Sequence, residues 1–200
     1  MIRNKKLILS LMSFIAFLFI LIIVVNGTPS IDYSVSSGIN KLRNPIMDGF
    51  FIFLGNFSRE IMIGFALIAA LILYNGKRKK ESWILLFSLI LGYVFEQAIK
   101  FSVQRVRPLM QLIQEIDYSF PSGHAIFSII LFSMLIYFFK DEIKNKTTRL
   151  IFILINIFLI LLIGFSRIYL NVHSFTDVIG GYALGFAVAN FVLYLAELRN

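Results

Sequence analysis

Residues 7–25 run for nineteen positions without a charge. A stretch of that length has few solutions: a large core must wrap it in water, or it crosses a bilayer as a helix that bonds its own backbone. The rest of the chain decides between them. Five further apolar runs follow, at residues 54–74, 83–98, 125–139, 150–165 and 178–195. With 58% hydrophobic residues and 22 phenylalanines among 200 positions, a water-soluble core of this size could not hide its own apolar surface. The expected fold class is all-α: a polytopic membrane protein with six transmembrane helices in one bundle, a single domain over residues 1–200 with no repeat or linker. A signal peptide would carry an apolar core of about 7–15 residues and a small-residue cleavage site. The longer run here, ending in Val25-Asn26-Gly27, reads instead as a retained anchor.

The second run is awkward. Its uninterrupted part, residues 61–74, spans only about 21 Å at the helical rise, against a hydrocarbon core of about 30 Å. The helix is expected to start near Leu54 and to carry Arg59 and Glu60 into its outer end, either as a mutual ion pair or with Arg59 beside a substrate head group. Residues 27–45 are polar, with a short interfacial helix expected at 39–43. Gly181 and Gly185 make a small-xxx-small pair that lets helices approach closely, and Asn190 is expected to bond across helices.

The net charge of +8 could suggest nucleic acid, but the basic residues cluster between the apolar runs, so no nucleic-acid partner is expected. In a six-span layout, twelve of the nineteen Lys and Arg fall on one side: Arg3, Lys5, Lys6, residues 77–80, Lys140, Lys144, Lys146, Arg149 and Arg199. That side is expected to be cytoplasmic and to hold both termini. Residues 100–124 and 166–177 then share the extracytoplasmic face, and most of the basic residues that break the rule lie in them. The chain has no cysteine, which removes disulfides and thiolate chemistry.

Ionisable residues carried into a membrane-embedded bundle cost several kcal/mol unless they serve a purpose, and those pressed against the ends of the apolar runs here mark a candidate site. Residues 166–177 contain Arg167, His173 and Asp177. The histidine and aspartate are four apart, in contact if both lie on a helix, and a carboxylate on one imidazole nitrogen leaves the other free and more basic. Residues 100–108 supply Lys100 and Arg107, the latter followed by Pro108. Residues 121–124 read Pro121-Ser122-Gly123-His124. Lys100, Arg107 and Arg167 are cations suited to a dianionic phosphoryl group. Ser122 and Gly123 sit where the fourth span starts, a helix N-terminus whose free amides favour an anion. The only two histidines, His124 and His173, both fall in this set. Placed on opposite sides of a phosphoryl group, one could attack in line while the other protonates the leaving oxygen. Each piece alone has an ordinary reading: a structural His173–Asp177 pair, an interfacial cap at His124, a snorkelling Lys100 paired with Glu96.

The three segments together resemble the signature motifs of the type 2 phosphatidic acid phosphatase (PAP2) family of lipid phosphatases, whose superfamily includes glucose-6-phosphatase, bacterial acid phosphatases and vanadium haloperoxidases. The pattern is lysine, six residues, Arg-Pro; then Pro-Ser-Gly-His; then Ser-Arg, five residues, His, three residues, Asp. Every required position is filled. The resemblance implies that His173 is the nucleophile and forms a phosphohistidine, with Asp177 orienting it. It implies that His124 is general acid and then base, and that Lys100, Arg107, Arg167, Ser122 and Gly123 bind phosphate. It implies no metal and no cofactor. The expected substrate is a membrane-lipid phosphate: phosphatidylglycerophosphate, phosphatidic acid or undecaprenyl diphosphate. The alternatives are a lipid phosphotransferase, or a non-catalytic lipid-binding or transport protein. The compact loops resemble bacterial members, which implies a plasma-membrane protein with an extracytoplasmic site. Arg105, Glu115 and Asp117 have no place in the pattern and read as solvated loop charges, the two acids open to a part in specificity. Tyr169, Phe120 and Phe175 read as packing residues or as the lining of an acyl entrance. The sequence fixes no oligomeric state.

Overall fold

The structure, a computed structural model, describes residues 2–198, without the side chains of Ile2, Arg3, Phe57 and Arg59. Among the described residues seven helices follow in order: α1 (Ile2–Val25), α2 (Ser30–Asn40), α3 (Pro45–Asn75), α4 (Lys79–Val103), α5 (Gly123–Phe139), α6 (Lys146–Tyr169) and α7 (Phe175–Leu198). Every apolar run of the sequence falls on a helix. By length and composition, four of these are able to cross a membrane (α1 from Asn4, α4, α6 and α7), and a fifth is if α3 counts as one span. Helix α5 is apolar but has 17 residues, about 25 Å of helix. The expectations resting on Arg3, Arg199 and an Arg59–Glu60 pair lie outside the described residues and side chains.

Local chemistry sets the helix ends. Asn44 caps α3, its Oδ1 accepting from Met47 N at 3.0 Å, with Pro45 pre-set for the first turn. Asn145 does the same for α6 through Thr148 N. Helix α3 starts about nine residues earlier than expected and bends by 49° between Pro45–Asn56 and Glu60–Asn75, where Ser58 Oγ donates to Gly55 O at 3.5 Å. The short helix expected at 39–43 is displaced to Ser30–Asn40. Asp32 favours its first turn, and the approach to Pro45 holds Asn44 extended, so helix cannot continue there.

Long apolar side chains face outward along the helices, such as Ile15 and Phe19 on α1, Leu67 on α3, Ile90 on α4 and Phe158 on α6. In water this belt would be a liability; in lipid it is the solvated face. Inside, α7 packs against α1 and α5. The glycine pair explains the second contact. A Cβ at Gly181 would lie 2.7 Å from Ser122 O and 2.9 Å from Ala125 Cβ, and one at Gly185 would lie 2.8 Å from Ile126 O. Asn190, by contrast, bonds within its own helix, to Phe186 O at 2.9 Å. The carbonyl one turn back was within reach and required no partner helix.

The bundle has two polar ends. At one, Lys6 bonds Tyr137 and Glu197 at 2.5 Å each, and Lys80 reaches Ala196 O at 2.9 Å. The other gathers the end of α4, the starts of α5 and α7, the end of α6 and the whole of α2. Because Gly181 meets a backbone carbonyl that cannot swing away, Gly181→Ala is expected to cost about 1–3 kcal/mol of stability. Gly38→Ala, where nothing lies within 4 Å, is expected to be neutral or stabilising. Thermal unfolding of both variants in detergent checks the contrast.

Candidate active site

The turn between α6 and α7 carries His173, and its shape is fixed by backbone bonds. Asn171 adopts a left-handed conformation (φ 56°), which asparagine tolerates better than most residues. Its N–H bonds Ile168 O at 3.0 Å, and Val172 N–H bonds Arg167 O at 3.2 Å, the pattern of a Schellman cap. The chain then enters α7 at Phe175, so His173 precedes the helix and does not share a helical face with Asp177 as expected. Asp177 turns back instead: its Oδ2 accepts Ser174 N–H at 2.7 Å, half of a capping box, and lies 3.7 Å from His173 Nδ1.

The nearer partner of that nitrogen is Ser119 O, at 2.8 Å. On the far side of the ring, Arg107 Nη1 stands 3.2 Å from His173 Nε2. A carbonyl oxygen only accepts and a guanidinium only donates, so the two neighbours dictate the tautomer: Nδ1 carries the proton and Nε2 the lone pair. Burial holds the His173 pKa below the usual histidine range. Asp177 pulls it up, while Arg107 and Arg167 push it down further.

The three expected cations are all buried at this end of the bundle. Lys100 ends α4 and pairs with Glu96 at 2.9 Å, as the i,i+4 spacing anticipates, and with Asp117 at 2.5 Å. Arg107 bonds Val172 O at 2.6 Å, Asp117 O at 2.8 Å and Glu115 Oε2 at 2.7 Å. Arg167, fully buried, bonds Glu115 and also Gly55 O at 3.3 Å. Ser122 occupies the N-cap of α5 but its hydroxyl caps nothing: Ser122 Oγ is buried without a hydrogen-bond partner. Such an oxygen is costly in a finished fold and suited to meet a ligand. The backbone at Gly123 is approached by the Glu96 carboxylate, which a Cβ would overlap. His124, in the first turn of α5, is buried; it lines a cavity of about 370 Å³ walled by Glu115 and Asp117, and also an apolar groove of about 290 Å³ between α3, α4 and α5. His173 opens on another cavity, with Arg105 and Arg107.

Three loop charges need correction. Glu115 and Asp117 are bound to the cations, although the Asp117 side chain stays 48% exposed. Burial would raise the Asp117 carboxyl, but hydrogen bonds and charge from Lys100 and Arg107 outweigh it and hold the pKa at about 2. Arg105 is half-buried, held between Asp32 and Asp177. Sequence reasoning passed over Asp32 and Ser119 altogether. Asp32 did leave a signal, as the first acidic residue of the chain; Ser119 contributes a backbone carbonyl and left none. Phe120 and Tyr169 are core residues, Tyr169 donating to Asp48 Oδ1 at 2.6 Å.

Residues 81–200 match the family model of the PAP2 superfamily. Phosphatidylglycerophosphatase B of Bacillus subtilis is 30% identical over 188 residues, covering 84% of this chain and 87% of that protein. Undecaprenyl-diphosphatase of Sulfolobus acidocaldarius is 27% identical, covering 81% and 78% respectively. A crystal structure of a transmembrane PAP2 type phosphatidylglycerolphosphate phosphatase from Bacillus subtilis superposes with a TM-score of 0.83 at 23% identity, covering 96% of this chain and 97% of that one. At that identity, the structural likeness speaks for the fold.

An anion entering this cluster must displace Glu115 and Asp117. Protonation will not do it in mild acid, since Asp117 stays ionised until the pH falls to about 2. Asp117→Asn is expected to tighten binding of inorganic phosphate by roughly fivefold, about 1 kcal/mol, at pH 5 to 7. Calorimetric titration of the purified protein measures this, and weaker binding would mean that Asp117 supports the site instead of competing for it.

Proposed function

The chain belongs to the PAP2 superfamily, and on that premise we propose that it hydrolyses a phosphate monoester or diphosphate of a membrane lipid through a phosphohistidine. Its relatives' names agree on a phosphatase acting on lipid phosphates, and its apolar helices make it a membrane protein. The observation that carries the reading is the polarity of the His173 ring: protonated Nδ1 toward Ser119 O, bare Nε2 toward Arg107.

In this mechanism Lys100, Arg107 and Arg167 hold the phosphoryl oxygens, with Ser122 Oγ and the first amides of α5 as further donors. The Nε2 lone pair of His173 attacks phosphorus and the bond to the lipid oxygen breaks. His124 gives that oxygen its proton. The ring, phosphorylated on Nε2 and still protonated on Nδ1, is a cation that Ser119 O and the Asp177 carboxylate stabilise. His124 then takes a proton from water, the hydroxide attacks phosphorus, and the P–N bond breaks to release phosphate. No step needs a metal ion, because the three side-chain cations carry the charge. The groove beside His124, lined by Met62, Leu89, Tyr93, Ile126 and Phe127, suits the apolar part of the leaving group. The names of the two relatives favour phosphatidylglycerophosphate and undecaprenyl diphosphate as substrates, with phosphatidic acid beside them. With α1, α3, α4, α5, α6 and α7 taken as six spans, the basic-residue count supports cytoplasmic termini and an extracytoplasmic site.

The test is phosphate release from these three lipids in detergent with EDTA present. Wild type is expected to turn over at least one of them, and His173→Ala and His124→Ala to lose about 100-fold or more. Acid-labile labelling of the protein by a ³²P-lipid is expected in wild type and not in His173→Ala. Activity that vanishes on chelation, or release from none of the lipids, would overturn the reading.

A further inference from the structure

The residues behind Asp177 form a second layer that the mechanism above does not use. Arg105, two residues before Arg107, directs one guanidinium nitrogen to Asp177 Oδ1 and to Thr176 Oγ1, the latter at 2.9 Å. Its other terminal nitrogen bonds Asp32 Oδ2 at 2.8 Å. Asp32, in the first turn of α2 and 5% exposed, also accepts Thr176 N–H at 2.9 Å and the Thr176 hydroxyl at 2.7 Å. A residue about 140 positions away in sequence thus caps the first turn of α7.

The two oxygens of Asp177 are thereby divided. Oδ1 belongs to Arg105, while Oδ2 belongs to Ser174 N–H and faces His173. We propose that Arg105, braced by Asp32, is a positioning residue that locks the Asp177 carboxylate and sets the charge felt by the His173 ring. The proposal rests on the reading of His173 as the attacking group.

The electrostatic reason is direct. A lone buried carboxylate beside His173 would favour the imidazolium, which has no lone pair to attack with. A guanidinium that cannot lose its proton cancels much of that field whatever the pH. Asp32 balances the guanidinium, so that Arg105 neither stands as an unpaired charge nor strips Asp177 of its influence. The other charged and titratable groups at this end of the bundle are Arg107 and Arg167, with Glu115 and Asp117 bound to them, Lys100 with Glu96 on α4, and His124 on α5. The substitutions below leave all of them in place.

A purely structural bridge and a positioning role predict different things. A bridge predicts lower stability and an unmoved His173 titration. Positioning predicts titration shifts of opposite sign on removing the two charges. Losing the Arg105 cation should raise the His173 pKa, and losing the Asp32 anion should lower it. The experiment is NMR titration of the His173 ring in wild type, Arg105→Gln, Arg105→Lys and Asp32→Asn. The chain has only two histidines, so His124→Ala assigns the signals. Arg105→Gln is expected to move the midpoint up by about half a pH unit or more, Asp32→Asn to move it down, and Arg105→Lys to stay near wild type. In parallel, the acid limb of kcat/KM, taken as a ratio to wild type so that substrate ionisation cancels, should move with the NMR midpoint. For Arg105→Gln, kcat should fall about tenfold with KM within about threefold. An unmoved or lowered midpoint in Arg105→Gln, or an unmoved or raised one in Asp32→Asn, overturns the proposal. If Arg105→Gln does not fold, Asp32→Asn and Arg105→Lys decide on the same signs. The NMR readout does not depend on turnover. A wild-type protein that releases phosphate from no lipid would therefore count against the proposed function and leave the titration to judge Arg105.

Discussion

A guanidinium cannot escape burial by giving up its proton, and Arg167 is fully buried. Arg107 is nearly so. Each such charge costs several kcal/mol unless it is met by anions or carbonyls in good geometry. Most of the polar architecture at this end of the bundle follows from that demand. The connection between α4 and α5 brings Glu115 and Asp117 onto the cations, while the backbone oxygens of Gly55, Asp117 and Val172 take up further donors. The same groups that solve the folding problem without a ligand would be the competitors of a phosphoryl group. A site built this way is close to charge-balanced before any anion arrives, which limits how tightly a bare anion binds. It leaves the apolar groove beside His124 to add affinity for a lipid-borne phosphate.

The second organising device is the start of α7, where three elements meet. The helix presents its free amides there, and they are met by Asp177 from within and Asp32 from α2. Ser122 N–H closes onto Asp177 O at 3.0 Å, tying the start of α5 to the same turn. That approach is possible because Gly181 and Gly185 let α7 lie against α5 backbone to backbone. Helix packing in the apolar layer and the spacing of polar groups above it are therefore one problem. Displacing α7 from α5 would move Asp177 and Ser122 together.

The sequence alone determined the membrane class, the all-helical fold and the helices that carry the apolar runs, and it singled out cations, histidines and a carboxylate that the fold brings to one end of the bundle. It could do so because those are matters of composition and short-range spacing: an apolar run longer than about 18 residues has few options, and a motif of charged residues between such runs is costly to keep.

What the sequence did not reveal was who pairs with whom. The i,i+4 spacing suggested that Asp177 alone orients His173, yet the nearer partner is the carbonyl of Ser119, and every residue has a carbonyl. Arg105, Glu115 and Asp117 looked like loop charges because their partners, Asp32, Arg167 and Lys100, lie 73, 52 and 17 positions away. Asn190 was assigned a partner on another helix although its own backbone sufficed. Local pattern specifies where a helix runs and where it ends. The pairing of buried charges depends on distances across the bundle, and those exist only once α2, α4, α6 and α7 have packed.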